Sequence, residues 1–142
     1  MNISFENKKV LVTGGTRGIG KQIAVDMLQL GADLTITGRS SQCEMQNVDY
    51  KQVDFLDANE TQSFIDYISE QTYDVCINNA GINKIDPFCD VEQKDWDNIM
   101  KVNLTAPFLV QQAVSKNMIN QRYGKIVNIS SIWGSISIAQ RA

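Results

Sequence analysis

The stretch that decides the fold is the glycine-rich run Thr13-Gly14-Gly15-Thr16-Arg17-Gly18-Ile19-Gly20. It follows a short segment rich in β-branched residues, 9–13, which predicts a first strand. After it, apolar residues recur every three to four positions until Gly31, which predicts a helix. Glycines between a strand and a helix let the backbone approach a pyrophosphate, and the helix N-terminus offers free N–H groups. The run therefore predicts a dinucleotide-binding turn rather than a plain glycine turn.

Strands and helices alternate along the rest of the chain. Further strands are predicted at residues 33–37, 49–55, 73–77 and 124–130, and further helices at 61–69, 90–100 and 104–120. Pro107 fits the last helix only in its first turn or at a kink. This alternation indicates an α/β fold: a Rossmann-type, doubly wound parallel sheet of strand order 3-2-1-4-5. Residues 1–142 are predicted to form the dinucleotide-binding portion of a single domain, with ligands at the carboxyl ends of the strands.

The composition excludes several classes of function. Of 142 residues, 43% are hydrophobic, which suits a globular protein, and the net charge of −3 without a basic block argues against nucleic acid as a partner. The absence of histidine rules out His-based zinc sites and Ser-His-Asp triads within the chain. Three cysteines without a C-x-x-C pair fit a reducing cytoplasm and no metal. No apolar run approaches the ~18–20 residues of a membrane span, so no membrane partner is expected.

Three later motifs extend the pattern: Asn78-Asn79-Ala80-Gly81 after strand four, Lys101-Val102-Asn103-Leu104 before the last helix, and Asn128-Ile129-Ser130-Ser131 after strand five. Together with the G-x-x-x-G-x-G spacing of the glycine turn, they resemble the short-chain dehydrogenase/reductase family along the entire chain. The resemblance implies an oxidoreductase that transfers hydride between a nicotinamide and a small-molecule carbonyl or alcohol substrate. It does not indicate which substrate.

The predicted cofactor is NADP(H) rather than NAD(H). Strand two ends at Arg39 with no acidic residue to hold the ribose hydroxyls, and Arg17 lies in the glycine turn. The alternative is that both arginines are solvated surface charges. The resemblance implies that Asp54 binds the adenine amino group and that residues 79–81 lie beside the ribose. The predicted cofactor-binding residues are Gly14, Thr16, Arg17, Gly18, Ile19, Gly20, Arg39, Asp54, Asn79, Ala80 and Gly81.

The resemblance assigns catalytic roles to Ser131, which would bind the substrate oxygen, and to Asn103, which would hold a water in the proton path. The family's Tyr-x-x-x-Lys, which supplies the general acid or base, should begin about a dozen residues after that serine. No tyrosine in the sequence has a lysine four positions later. We therefore expect that the chain ends before its catalytic centre is complete and is inactive alone.

Two other functions remain open at this stage. The chain is alternatively a non-catalytic nucleotide-binding fragment that associates with another chain, or a Rossmann module that senses redox state. A Tyr-x-x-x-Lys beyond residue 142 favours the enzyme, whereas a stop codon favours the fragment. The helix at 104–120 has enough apolar residues to pack on the sheet and to offer a second face to a partner. The family resemblance implies that the full-length protein uses such a face to form a homo-oligomer, a dimer or tetramer.

Overall fold

The structure is a computed structural model that describes residues 3–134 and 136. Its strands form one sheet, in the order β3-β2-β1-β4-β5, and every neighbouring pair is parallel. This confirms the predicted fold class and strand order. The strands are β1 (Lys9–Val12), β2 (Asp33–Gly38), β3 (Asp49–Gln52), β4 (Val75–Asn78) and β5 (Lys125–Asn128); the helices are α1 (Gly18–Gln29), α2 (Ala58–Ser69), α3 (Gln93–Met100) and α4 (Ala106–Asn120).

Helices cover both faces of the sheet. Successive strand residues point to opposite sides, so each face carries apolar side chains that a helix can bury. In β1, Val10 and Val12 belong to an apolar cluster with Ala24 of α1. Leu11 between them belongs to the cluster on the other face, which contains residues of α2 and α4. The fully buried β4 matches its nearly all-apolar sequence. No helix among the described residues is long and apolar enough to cross a membrane.

Strand three is shorter than predicted, and the following helix is longer. Residues 53–55 leave the sheet because β2 ends at Gly38, whose carbonyl accepts the last ladder bond from Val53 N at 2.8 Å. The helix α2 begins at Ala58 rather than at residue 61 because the Asp57 carboxylate accepts hydrogen bonds from the N–H groups of Asn59 and Glu60. Strand four is shifted and covers Val75–Asn78 instead of 73–77.

The last two helices also begin later than predicted. A 3₁₀ turn, Phe88–Asp90, precedes α3, which starts at Gln93 rather than at residue 90. The helix predicted at 104–120 is preceded by a π-helical turn, Lys101–Thr105, so that α4 starts at Ala106 with Pro107 in its first turn. The helical backbone continues through Thr105 into α4, so Pro107 is accommodated directly after the π-helical turn, where the regular i→i−4 ladder is already interrupted. The starts predicted from periodicity for these two helices are therefore wrong.

Candidate cofactor site and adjoining catalytic cleft

The glycine turn between β1 and α1 combines close packing with an open surface. Gly14 and Gly18 have left-handed φ angles of +68° and +54°. A Cβ on Gly20 would lie 2.2 Å from the Gly14 carbonyl oxygen, whereas a Cβ on Gly18 would meet no atom within 4 Å. Gly20 thus lets the helix pack on the turn, and Gly18 leaves space where a ligand can approach the backbone.

The N-terminus of α1 is left available to an anion. Arg17, the N-cap residue, makes no side-chain capping bond, and the first turn contains no acidic residue. Ile19 in that turn is 66% exposed. The first N–H groups of a helix lack intrahelical partners and carry the positive end of its dipole. The geometry therefore suits a phosphate group.

Two buried threonines, which the sequence analysis missed, hold the turn in place. The Thr13 hydroxyl oxygen accepts hydrogen bonds from the N–H groups of Asn79 and Ala80, each at 3.1 Å. The Thr37 hydroxyl oxygen accepts one from Gly14 N at 3.0 Å. Both threonines are at most 2% exposed. The available signal was a threonine at the end of an apolar strand, where a buried hydroxyl needs hydrogen-bond partners.

The Asn79 side chain joins the end of β4 to the glycine turn. Its Nδ2 donates to the carbonyl oxygens of Thr13, at 3.1 Å, and Gly14, at 3.0 Å. Because Gly14 belongs to the glycine turn, this side chain helps to fix the shape of that turn. The arrangement explains why an asparagine follows the buried strand at this position.

We expect Asn79→Ala to lower both stability and nucleotide affinity. The substitution leaves two partly buried carbonyls without a donor, at a cost of about 1–3 kcal/mol for a buried group. Asn117→Ala is a matched control, because Asn117 Nδ2 also donates to two carbonyls, those of Ser69 and Gln71, away from the cleft. Both variants should unfold at lower urea concentration, but only Asn79→Ala should weaken nucleotide binding in a titration. Equal nucleotide affinities would contradict the role of Asn79.

All the residues predicted to hold the cofactor line one cleft of about 350 Å³ at the carboxyl ends of the strands. Arg17 and Arg39 are exposed there, and the ion pairs that the described residues form all use lysines. Neither guanidinium is therefore neutralised by a described carboxylate. Asp54 is half-buried, and its Oδ1 accepts a hydrogen bond from Leu56 N at 2.9 Å, which fixes the turn into α2.

A second cleft, of about 840 Å³, adjoins the first. The predicted catalytic residues Ser131 and Asn103 both line it, and residues 79–81 line both clefts. A ligand that extends along residues 79–81 from the α1 N-terminus would therefore reach Ser131. The sequence motifs that were far apart along the chain converge on one continuous surface.

Asn103 lies in the π-helical turn and is anchored to the segment after β4. Its Oδ1 accepts a hydrogen bond from Ile82 N at 2.9 Å, and its Nδ2 donates to Ile82 O at 2.8 Å. This pairing coincides with the extra residue of the π turn, a local widening that often occurs at functional sites. The Asn103 side chain therefore positions the wall between the two clefts, and the water-holding role implied by the resemblance stays a prediction.

With this geometry, the chain can be compared with known proteins. The family model described as short chain dehydrogenase matches residues 8–142. The chain belongs to the short-chain dehydrogenase family. The match covers the glycine turn, residues 79–81, Asn103 and Ser131, so it includes both clefts of this short-chain dehydrogenase.

Individual relatives of this short-chain dehydrogenase act on different substrates. It is 37% identical to the 3-oxoacyl-[acyl-carrier-protein] reductase FabG of Aquifex aeolicus and 33% identical to the gluconate 5-dehydrogenase of Gluconobacter oxydans, over 94% of this chain in each case. The crystal structure of a gluconate 5-dehydrogenase from Burkholderia cenocepacia in complex with NADP and tartrate matches 99% of the chain, with a TM-score of 0.86 and 29% identity. The chain spans 57–60% of the length of these proteins.

Two tyrosines of this short-chain dehydrogenase, Tyr67 and Tyr73, are unsuited to proton transfer near neutral pH. Burial and, to a smaller extent, a hydrogen bond to Asp49 raise the pKa of Tyr67 to about 12, and burial also raises the pKa of Tyr73. Both line a small cavity with Lys9 and Asp33, the first residues of β1 and β2, at the opposite edge of the sheet. Among the described residues that line the two clefts, none is a tyrosine.

Proposed function

We propose that the protein is an NADP(H)-dependent oxidoreductase that transfers hydride between the nicotinamide and the carbon of a small-molecule carbonyl or alcohol. The observation that supports this most is the convergence of the phosphate-binding turn, residues 79–81 and Ser131 on two adjoining clefts. When bound, NADP(H) would supply or accept the hydride. The chain's own residues would bind the cofactor and orient the substrate oxygen.

The cleft fits a dinucleotide on three counts. Gly18 leaves room against the backbone, the α1 N-terminus lacks a side-chain cap from Arg17, and Arg39 stands at the end of β2 without an acidic neighbour. An acid at this position usually binds the ribose of NAD, whereas an arginine accommodates the 2′-phosphate of NADP. The B. cenocepacia structure, which contains NADP, gives independent but looser support.

The described residues that line the two clefts supply cofactor binding and a substrate-binding hydroxyl, but no suitable proton donor. The Ser131 hydroxyl would donate a hydrogen bond to the substrate oxygen, where negative charge develops during hydride transfer. General acid catalysis typically contributes ~10²–10⁴-fold, and the tyrosines near the amino edge of the sheet cannot provide it. This observation favours a second candidate, nucleotide binding without catalysis, for a polypeptide of residues 1–142 alone.

A titration combined with an activity assay separates the two candidates. NADPH and NADH binding would be measured by the change in nicotinamide fluorescence, followed by NADPH consumption with 3-oxoacyl thioesters and 5-ketogluconate. Consumption by the full-length protein supports the oxidoreductase. Binding without consumption of any substrate by the full-length protein supports the nucleotide-binding module. Absence of both binding and consumption would contradict both functions.

We also propose that the full-length protein is a homo-oligomer that uses the outer face of α4. Val110 and Val114 of this helix are buried against the sheet, whereas Phe108 and Ile119 are 57% and 74% exposed. An exposed apolar face on a helix is stabilised when a second copy covers it. Light scattering should therefore give the mass of a dimer or tetramer, and Ile119→Glu, at a residue that lines neither cleft, should lower it. A monomeric mass for the full-length protein would contradict this proposal.

A further inference from the structure

The backbone that carries Arg39 is held by a tyrosine of the neighbouring strand. The Tyr50 hydroxyl of β3 donates a hydrogen bond to the carbonyl oxygen of Ser40. The Tyr50 ring is half-buried and packs against the apolar cluster on the α1 face of the sheet, as do Cys43 and Val48. Because one end of this side chain is fixed in the core, the hydroxyl is a rigid support for the loop after β2.

A second side chain of β3 continues the same support. The regular ladder between β2 and β3 ends where Val53 N donates to Gly38 O. Gln52 Nε2 then donates to the carbonyl oxygen of Arg39 at 3.4 Å, next to the bond that Tyr50 makes. Side chains of β3 therefore bond the two carbonyls that follow the last strand residue, at the point where the chain bends away from the sheet at residues 39–41.

The end of β2 also contacts the glycine turn. A Cβ on Gly38 would lie 2.5 Å from Thr16 Cγ2 and 3.0 Å from the Tyr50 hydroxyl oxygen. Thr16 lines the cofactor cleft together with Gly38 and Arg39. The Tyr50 hydroxyl thus lies beside two residues of the cleft wall, Gly38 and Thr16, although Tyr50 does not line the cleft itself.

We propose that Tyr50, assisted by Gln52, is a positioning residue for cofactor selectivity: it holds the Arg39–Ser40 backbone so that the Arg39 guanidinium faces an adenosine 2′-phosphate. This inference rests on the proposed preference for NADP(H). A long arginine side chain loses conformational entropy when it binds, and a fixed backbone reduces the number of orientations that must be lost. NAD(H) lacks the 2′-phosphate, so the support should matter much less for it.

The test compares the affinities of NADP and NAD for the full-length protein and its variants by isothermal titration. Tyr50→Phe removes the hydroxyl and keeps the packed ring, and Gln52→Ala removes the second support. Tyr67→Phe is the matched control, because the Tyr67 hydroxyl bonds Asp49 Oδ2 at the opposite edge of the sheet. Arg39→Ala shows how much of the selectivity depends on the guanidinium itself.

We expect Tyr50→Phe to weaken NADP binding roughly two- to tenfold, the range of one hydrogen bond. The affinity for NAD should change by no more than it does in the control variant, Tyr67→Phe. Amide hydrogen exchange at residues 40–42 should become faster in the same variant, and Tyr67→Phe should show neither effect. If the ratio of NADP affinity to NAD affinity is unchanged in Tyr50→Phe but lowered in Arg39→Ala, the inference about Tyr50 is wrong. The proposed preference for NADP(H) would still stand. A wild type that binds both cofactors equally would overturn the cofactor preference, and this inference with it.

Discussion

Replacing Ser131 with alanine in the full-length protein should lower kcat for carbonyl reduction by about 10²–10³, the usual effect of removing a hydrogen-bond donor to a developing oxyanion. The affinity for NADP should stay the same, because Ser131 lines the second cleft and not the candidate cofactor cleft. Steady-state kinetics and a cofactor titration on the same sample measure both quantities.

Ser130→Ala is the control for this prediction, because the two serines are adjacent and both line the second cleft. The family motif assigns the catalytic hydroxyl to the second serine, so Ser130→Ala should lower kcat by less than tenfold. A large loss in Ser130→Ala with normal activity in Ser131→Ala would show that the motif register is shifted by one residue. A loss of NADP affinity in Ser131→Ala would show that Ser131 contacts the cofactor, which contradicts this prediction.

The second large effect concerns the choice of cofactor. Arg39→Asp should weaken NADP binding by roughly tenfold to a hundredfold, since a charge-assisted hydrogen bond contributes about 1.5–3 kcal/mol, and the new carboxylate repels the 2′-phosphate. NAD binding should be maintained or strengthened, because an acid at this position can accept hydrogen bonds from the ribose hydroxyls. Isothermal titration with both cofactors measures the ratio.

Lys94→Asp provides a control with the same change of charge. Lys94 is exposed on α3 and does not line the cofactor cleft, so its replacement tests the long-range effect of net charge alone. At physiological ionic strength such effects are screened over about 8 Å. If Lys94→Asp weakens NADP binding as much as Arg39→Asp does, the arginine makes no specific contact with the phosphate.

Strand order and site position were predictable from the sequence because they depend on patterns that repeat along the chain. Alternating strands and helices dictate right-handed crossovers and a parallel sheet. The motifs follow strand ends, and the carboxyl ends of parallel strands meet at one edge. For this reason Gly14, Asn79 and Ser131 could be assigned to the same edge before the structure was known.

The parts that sequence reasoning missed depend on single side chains that bond distant backbone. The π turn accompanies the pairing of Asn103 with Ile82, and apolar periodicity carries no information about such a bond. Thr13 and Thr37 resembled ordinary β-branched strand residues, because the sequence does not indicate which N–H groups will donate hydrogen bonds to their hydroxyl oxygens. The end of β3 depended on where its partner β2 stops, which is a property of two strands and not of one.

The sheet order has a consequence for how the chain folds. The central strand β1 pairs with β2 and with β4, so that Val10 lies beside both Leu34 and Val75. All the strand pairs of the described sheet are parallel, so none can form as a local hairpin, and each must close a long loop before its contacts are gained. Long-range pairing of this kind slows folding. During synthesis, β1 therefore has to wait for β4. In the meantime α1 can cover Val10 and Val12, whereas Leu11 on the other face stays exposed until α2 and α4 have been made.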